Sequence, residues 1–176
     1  GTVAGTIHID CGDTCQGSLA AVATSGRIGT RILETMGVDI WVPGNHELDF
    51  GVDQFAEFAR QLEARIVCGN LTVDRGNTML RFPSSRSITI GDATIAVIGL
   101  TAKHLHYWLS DAQLKGVEVK PGLEVLPAIL AEVHQSNPDM IVLAAHQGWL
   151  ENDPRGVNEI AEIAQRFPEI DLILGG

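Results

Sequence analysis

Residues 39–51 read Asp-Ile-Trp-Val-Pro-Gly-Asn-His-Glu-Leu-Asp-Phe-Gly, and this stretch decides how the rest of the chain is interpreted. Its first part, residues 39–43, is a short apolar run that is typical of a buried strand. Its second part, residues 44–51, is a loop in which amide, imidazole and carboxylate side chains directly follow the strand. In open α/β sheets the ligand site lies beyond the carboxyl ends of the strands. The stretch therefore predicts both a sheet and the edge at which its site lies.

The segments on either side alternate between apolar runs and amphipathic helices. The predicted strands are residues 6–10, 39–43, 65–68, 140–145 and 170–174, and the predicted helices are residues 18–36, 52–62, 122–135 and 157–167. Residues 87–90 and 94–100 flank Gly91-Asp92, a strong signal for a β-hairpin. These βα units predict an α/β fold in which helices cover a sheet. The hairpin makes that sheet mixed or adds a second one.

The composition limits the classes of function. The 176 residues carry a net charge of -10, and 45% of them are hydrophobic, which suits one domain with a sizeable core. Lysine occurs only at Lys103, Lys115 and Lys120, so we expect no nucleic-acid partner. An acidic chain can still bind an anionic small molecule at a metal centre, because the cation supplies local positive charge. No apolar run reaches the ~18 residues that a membrane-spanning helix needs.

Polar clusters recur at the ends of the predicted strands. Asp13 follows the first strand within a glycine-rich turn, Asn45 and His46 follow the second, and His146 follows residues 140–145. Carboxylate, amide oxygen and imidazole are the ligands that divalent cations take in proteins. Taken singly, Asp13 could be a turn residue or a helix N-cap, and either histidine could be an ordinary polar residue. Packing does not require all of these clusters together, so the set favours a functional site.

These motifs resemble those of the calcineurin-like metallophosphoesterase superfamily. The matching strings are Gly12-Asp13-x-x-x-Gly17, Gly44-Asn45-His46-Glu47, His146-x-Gly148 and Asp171-Leu172-Ile173-Leu174-Gly175-Gly176. The longer string of residues 44–51, with Gln16-Gly17, resembles the 5′-nucleotidase branch, which includes 2′,3′-cyclic-nucleotide phosphodiesterases. The resemblance implies a four-layer αββα sandwich of two mixed β-sheets flanked by helices. It assigns residues 1–176 to an N-terminal catalytic domain.

The resemblance also implies a role for each matching residue. Asp13 would bridge two divalent metal ions, and Asn45 and His146 would complete part of the shell of one of them. His46 would lie beside the substrate phosphate, where it stabilises the transition state or protonates the leaving alkoxide. Asp49 would pair with His46 and hold its tautomer. Two such cations can clamp the attacking and leaving oxygens of an in-line displacement.

The implied activity is metal-dependent hydrolysis of nucleotide phosphoesters, of the 5′-nucleotidase or cyclic-nucleotide phosphodiesterase type. Asn70, followed by Leu71, also suits that branch, and the resemblance makes it a substrate-binding residue. The cations would be Mn, Zn, Fe, Co or Mg, all of which accept such ligands. The partners expected are a nucleotide or another small phosphoester and, in the parent protein, a C-terminal substrate domain. Many family members are periplasmic or extracellular, although residues 1–10 lack the features of a signal peptide.

The chain departs from the family pattern at both ends. No Asp-x-His pair precedes Asp13, and the chain stops at Gly176, where the family continues into a His-x-His or His-x-Gln motif. We therefore expect an incomplete domain that is inactive or nearly so by itself. One alternative is a non-catalytic metal-binding or interaction domain on the same scaffold. Another is a branch of the superfamily that acts on a sulfur or sugar substrate. His104 and His106 could form a metal-binding pair, but an ordinary surface loop is the favoured interpretation of these two residues.

Overall fold

A computed structural model of the chain describes residues 5–150 and 153–176. Its strands are β1 (Ile9–Asp10), β2 (Ile40–Trp41), β3 (Leu71–Asp74), β4 (Met79–Arg81), β5 (Ser85–Ile90), β6 (Ala93–Leu100), β7 (Val117–Val119), β8 (Met140–Ala145) and β9 (Leu172–Gly175). Its helices are α1 (Leu19–Ala23), α2 (Arg27–Met36), α3 (Val52–Gln61), α4 (Gly122–Gln135) and α5 (Ile160–Arg166), with short 3-10 turns at His46–Leu48 and Leu105–Tyr107.

The largest sheet is mixed and has the strand order β5-β6-β8-β9. The predicted hairpin is its antiparallel pair, β5 and β6, which turns at Gly91-Asp92. β6, β8 and β9 are parallel to one another, as expected where helices connect the strands. β8 has five buried residues out of six, which explains why its sequence is a continuous apolar run.

A second, parallel layer packs face to face on this sheet. β1 pairs with β2, and Ile66 adds an isolated parallel bridge to Trp41. Ile40 of β2 and Val42, which directly follows β2, bury their side chains against Val97, Val142 and Ala144 of the mixed sheet. Alternate residues of β6 and β8 point away from this contact, because successive side chains of a strand face opposite sides. The two sheets therefore share one apolar layer.

Helices cover both outer faces of the two sheets. Leu126 of α4 and Ile163 of α5 pack on Ile98 and Leu143, on the far side of the mixed sheet. α2 and α3 cover the far side of the β1–β2 layer, where Trp41 is buried. This order of helix, sheet, sheet and helix confirms the αββα sandwich. In the described part of the chain, no helix is long and apolar enough to cross a membrane.

The structure corrects several predicted elements. The single helix predicted for residues 18–36 is wrong: it breaks into α1 and α2 at Ser25 and Gly26, both of which have positive φ. The strand predicted for residues 65–68 is reduced to the one bridge at Ile66. A third sheet of order β4-β3-β7 was not predicted, because its strands are short and partly polar.

Candidate active site

The loops that follow β1, β2 and β8 place four predicted site residues around one cavity. Asp13 comes from the first loop, Asn45 and His46 from the second, and His146 from the third. These loops meet at one edge because β1 and β2 run parallel to each other and their layer packs face to face on the sheet that contains β8. The cavity has a volume of about 290 Å³. We call the part formed by Asp13, Asn45, His46 and His146 the inner wall.

His146 is the meeting point of the inner wall. Its Nδ1 lies 2.7 Å from the carbonyl oxygen of Cys11, which can only accept, so Nδ1 donates. Its Nε2 lies 3.0 Å from Asn45 Oδ1 and 3.3 Å from Asp13 Oδ2. In the neutral imidazole this Nε2 carries a lone pair, so three acceptor atoms face one another. Such a place is suited to a positive charge, either a proton or a metal cation.

The electrostatics of the inner wall agree with this geometry. Burial alone would raise the pKa of Asp13, but the hydrogen bond and the charge of His146 outweigh it and lower that pKa. Burial alone would likewise lower the pKa of His146, yet the contact with Asp13 raises it. Without a cation, the pair thus favours the charged form of both side chains. A cation that binds at Nε2 of His146 competes with a proton for the same nitrogen.

The loop of Asp13 approaches the loop of Asn45 closely because glycine lies at the contact. Gly12 has a φ of 99°, and a Cβ on it would clash with the backbone nitrogen of Gly44 and lie 2.9 Å from His146 Nδ1. Asp13 itself has a φ of 62°, a left-handed backbone conformation that residues other than glycine adopt only uncommonly. The backbone of His46 helps to hold it there, donating its N–H to Asp13 Oδ1 at 2.9 Å.

Glu47 connects these two loops through hydrogen bonds to their backbones. Its side chain is fully buried, with 0% of its surface exposed. The carboxylate accepts the backbone N–H of Asp13 at 2.8 Å, that of Cys15 at 3.0 Å and that of Gly44. Burial raises the pKa of Glu47, and these N–H groups oppose the rise by stabilising the carboxylate. Glu47 thus fixes the backbone at Asp13 and at Gly44, the residue before Asn45.

His46 and Asp49 form a separate pair at the cavity. His46 Nδ1 lies 3.0 Å from Asp49 Oδ2, and the histidine side chain is 36% exposed. The short 3-10 turn at His46–Leu48 brings the two side chains to the same side. A carboxylate on Nδ1 sets which ring nitrogen carries the proton and leaves Nε2 for another partner. His46 lines the cavity, so that partner can be a bound molecule.

A second set of lining residues, which we call the loop wall, has a different character. It is formed by Trp108, Leu150, Asp153 and Arg155. The side chains of Trp108 and Leu150 are 46% and 49% exposed. The cavity therefore combines polar groups that converge from strand ends with exposed apolar and charged side chains. Such a combination is typical of a site for a small molecule.

Comparison with known proteins shows which proteins resemble this chain. No protein-family model matches the chain. The chain is 29% identical over 171 residues to a Treponema pallidum protein named "Probable 5'-nucleotidase", a match that covers 96% of this chain and 27% of that protein. It is 23% identical to the 5′-nucleotidase of Bos taurus, over 96% of this chain and 28% of the relative. The chain thus spans less than a third of the length of these relatives.

Solved structures agree with the sequence relatives. A Staphylococcus aureus protein assigned as a 5′-nucleotidase superposes with a TM-score of 0.81 and 26% identity, over 97% of this chain and 36% of that one. A calcineurin-like phosphoesterase from Bacillus subtilis, at 18% identity, shares the fold with a TM-score of 0.78 over 97% of this chain and 57% of that one. The fold is therefore that of the metallophosphoesterases, and the sequence is similar to proteins named 5′-nucleotidase.

Metallophosphoesterases use divalent cations, and the inner wall fits one. Asp13, Asn45 and His146 offer a carboxylate, an amide oxygen and an imidazole nitrogen, which suit hard to borderline cations. Asn45 turns its oxygen toward His146 although its buried Nδ2 then has no hydrogen-bond partner among the described residues. An unpaired buried N–H costs about 1–3 kcal/mol. The orientation of Asn45 therefore favours a site that uses its amide oxygen, as a cation does. Within the same described residues, no three side chains of the types His, Cys, Asp and Glu lie close enough to hold a metal, so the inner-wall set depends on Asn45 as its third donor.

Asn70 does not join the other predicted site residues. It is buried and does not line the cavity. Its Oδ1 accepts the backbone N–H of Thr101 at 2.9 Å, and its Nδ2 donates to the carbonyl oxygens of Thr101 at 2.9 Å and Lys120 at 3.0 Å. Asn70 therefore connects β3 with the segments after β6 and β7. Asn70 makes these bonds within the fold and does not line this cavity, and its part in substrate binding stays a prediction.

Sequence reasoning missed two residues at the cavity or beneath it. Glu47 stood within the string of residues 44–51 but had no assigned role, because two of the three N–H groups that it binds lie more than 30 positions away. A carboxylate in a loop next to two glycines was the only available signal. Arg155 lies in a segment with no recognised motif, and only the fold brings it to the cavity.

Proposed function

We propose that the protein hydrolyses nucleotide phosphoesters with divalent cations, one of which is held by Asp13, Asn45 and His146. The observation that carries this proposal is the convergence on His146 Nε2, which has Asn45 Oδ1 at 3.0 Å and Asp13 Oδ2 at 3.3 Å. The hydrogen bond from Nδ1 to Cys11 sets the tautomer that a metal ligand needs. Mn, Zn, Fe, Co and Mg all accept these donors.

The chain's own residues have distinct tasks in this reaction. A bound cation supplies positive charge against the phosphate oxygens and activates water for attack. His46 lies beside the substrate and transfers a proton to the leaving alkoxide. Asp49 holds the proton on His46 Nδ1, so that Nε2 faces the cavity. Glu47 touches no substrate and positions Asp13 and Gly44 through their backbone N–H groups.

A second cation needs donors beyond the described residues. Asp13 is the one inner-wall ligand that can bridge to it, and a single carboxylate is not a metal site. Since the relatives are more than three times longer than this chain, we propose that a longer protein completes a two-metal centre. Residues 1–176 would be an incomplete catalytic domain, inactive or nearly so alone. A C-terminal substrate domain and a periplasmic or extracellular location belong to the same proposal.

The nucleotide is proposed as substrate because the relatives are named for it. Curated relatives from Treponema pallidum and Bos taurus both carry the name 5′-nucleotidase. The cavity is consistent with such a substrate, since polar groups for a phosphate face half-exposed apolar side chains that suit the leaving group.

The experiment compares the full-length protein that the gene encodes with the 176-residue chain. Both are assayed for hydrolysis of p-nitrophenyl phosphate and AMP with added manganese. We expect activity in the full-length protein and little or none in the 176-residue chain. His46→Ala in the full-length protein should lower kcat by roughly 10²–10⁴-fold, the usual contribution of a general acid. His134→Ala removes an exposed histidine of α4 and serves as the matched control.

Each arm can contradict a different part of the proposal. Absence of hydrolysis in the full-length protein with all of the suitable cations would overturn the enzymatic function and favour a non-catalytic scaffold. Full activity of His46→Ala would remove the role given to His46. Equal activity of the 176-residue chain would show that one cation is sufficient.

A further inference from the structure

The loop wall contains a cationic side chain that the proposed mechanism does not use. Among the described residues that line the cavity, Arg155 is the only arginine or lysine. The other acidic or basic side chains that face the same space are Asp13, Asp153 and the histidines of the inner wall. The chain has a net charge of -10, so a guanidinium that lines this cavity beside two aspartates differs in sign from most of the charge of the protein.

The loop that carries Arg155 is hydrogen-bonded to the segment after β8, which carries His146. Asn158 Oδ1 accepts the backbone N–H of Gly148 at 3.0 Å, two residues beyond His146. The backbone N–H and the Nδ2 of Asn158 donate to Asp153 Oδ2 at 2.8 and 2.9 Å. Asp153 Oδ1 in turn accepts the backbone N–H of Arg155 at 3.0 Å. This chain of hydrogen bonds fixes the backbone of Arg155 relative to the inner wall.

The same bonds leave the guanidinium available. Both carboxylate oxygens of Asp153 accept N–H groups of the loop, and in residues 5–150 and 153–176 no carboxylate forms an ion pair with Arg155. The guanidinium lies over the ring of Tyr107, 5.7 Å from its centroid. Stacking on an aromatic face restrains the plane of the guanidinium and leaves its edge N–H groups free to bind an anion.

We propose that Arg155 binds the phosphate group of the substrate from the loop wall of the cavity that also holds the proposed cation site. This inference takes the cavity of the proposed function and adds a residue to it. Arginine presents a planar fork of N–H donors that matches phosphate oxygens bidentately. Arg155 thereby selects substrates that carry an anionic phosphate and balances the negative charge of Asp13 and Asp153. Its contribution is to binding, so KM should respond more than kcat.

The test measures the binding of inorganic phosphate to the manganese-loaded, full-length protein by isothermal titration calorimetry. Loss of a charge-assisted, bidentate contact weakens binding by about 10–100-fold, and we expect this for Arg155→Ala. Arg155→Lys keeps the charge without the fork and should recover part of the affinity. Arg166→Ala is the matched control: it removes an exposed arginine that pairs with Glu162 away from the cavity, and should bind phosphate as the wild type does. Manganese affinity, measured in parallel, should be equal in all four proteins.

Three results would overturn the inference: wild-type affinity for phosphate in Arg155→Ala, an equal loss in Arg166→Ala, or no phosphate binding by the wild type. Hydrolysis of p-nitrophenyl phosphate by the same proteins is recorded separately. If phosphate binding depends on Arg155 while the wild type hydrolyses no phosphoester, the proposed function fails and this inference stands. If the wild type is active and Arg155→Ala has the same KM and phosphate affinity, the inference fails and the proposed function stands.

Discussion

The inner wall and the loop wall of the cavity hold their polar groups in different ways. On the inner wall, a buried glutamate, a backbone carbonyl and two close-approaching glycines fix the positions of the side chains. On the loop wall, Trp108 and Leu150 are about half exposed, and the backbone of Arg155 is held by hydrogen bonds within one surface loop. The comparison teaches that the proposed cation site is held by the core of the sandwich. The proposed phosphate contact comes from a surface loop.

The largest effect is expected from Glu47→Ala, which breaks the support of the inner wall. The substitution leaves the N–H groups of Asp13, Cys15 and Gly44 without their acceptor in a buried place. A buried N–H group that loses its acceptor costs about 1–3 kcal/mol, and losses within one network are less than additive, so we expect a loss of about 3–5 kcal/mol in the free energy of unfolding. Urea denaturation of the 176-residue chain measures it. Glu162→Ala, at an exposed position of α5, should cost less than about 1 kcal/mol. A loss below about 1 kcal/mol for Glu47→Ala as well would show that this carboxylate does not organise the loops.

A smaller effect is expected when the inner wall keeps its support but loses its central ligand. Manganese at ten times its dissociation constant should raise the free energy of unfolding of the chain by about 1.4 kcal/mol, because it binds only the folded state. In His146→Ala we expect this increment to vanish, since Asp13 and Asn45 alone provide too few donors. In His134→Ala, which changes an exposed histidine, the increment should remain. An unchanged increment in His146→Ala would place the cation elsewhere.

The difference between the walls also explains how far the sequence could be interpreted. β8 and α4 were predicted with the bounds that the structure shows, because a buried strand and an amphipathic helix leave a local periodic pattern. Asp13, Asn45 and His146 were found because each lies within two residues of a glycine where an apolar run ends. These signals are local, and the inner wall lies where the strands of the sandwich end.

The remaining features depend on contacts between distant residues. The sheet formed by β3, β4 and β7 has no strong periodicity, and its pairing joins Leu71 to Val119 across the sequence. The role of Glu47 required knowing which backbone N–H groups would face it. Asn70 resembled a substrate-binding residue by its neighbours, yet its amide is occupied by Thr101 and Lys120. Residue types and spacing predict which groups are present but not which partners the fold gives them.

The smallest effect is expected on the loop wall, from Asn158→Ala. This change removes the acceptor for the Gly148 N–H and one donor to Asp153, both in a partly exposed loop. We expect a loss of about 1 kcal/mol or less in the free energy of global unfolding. The hydrogen exchange of the Gly148 amide should nevertheless accelerate, because the loop opens locally without the core. Asn77→Ala, at an exposed turn, should change neither quantity. If Asn158→Ala instead destabilised the chain as much as Glu47→Ala does, the two walls would form one cooperative unit. The loop could then not vary its recognition independently of the cation site.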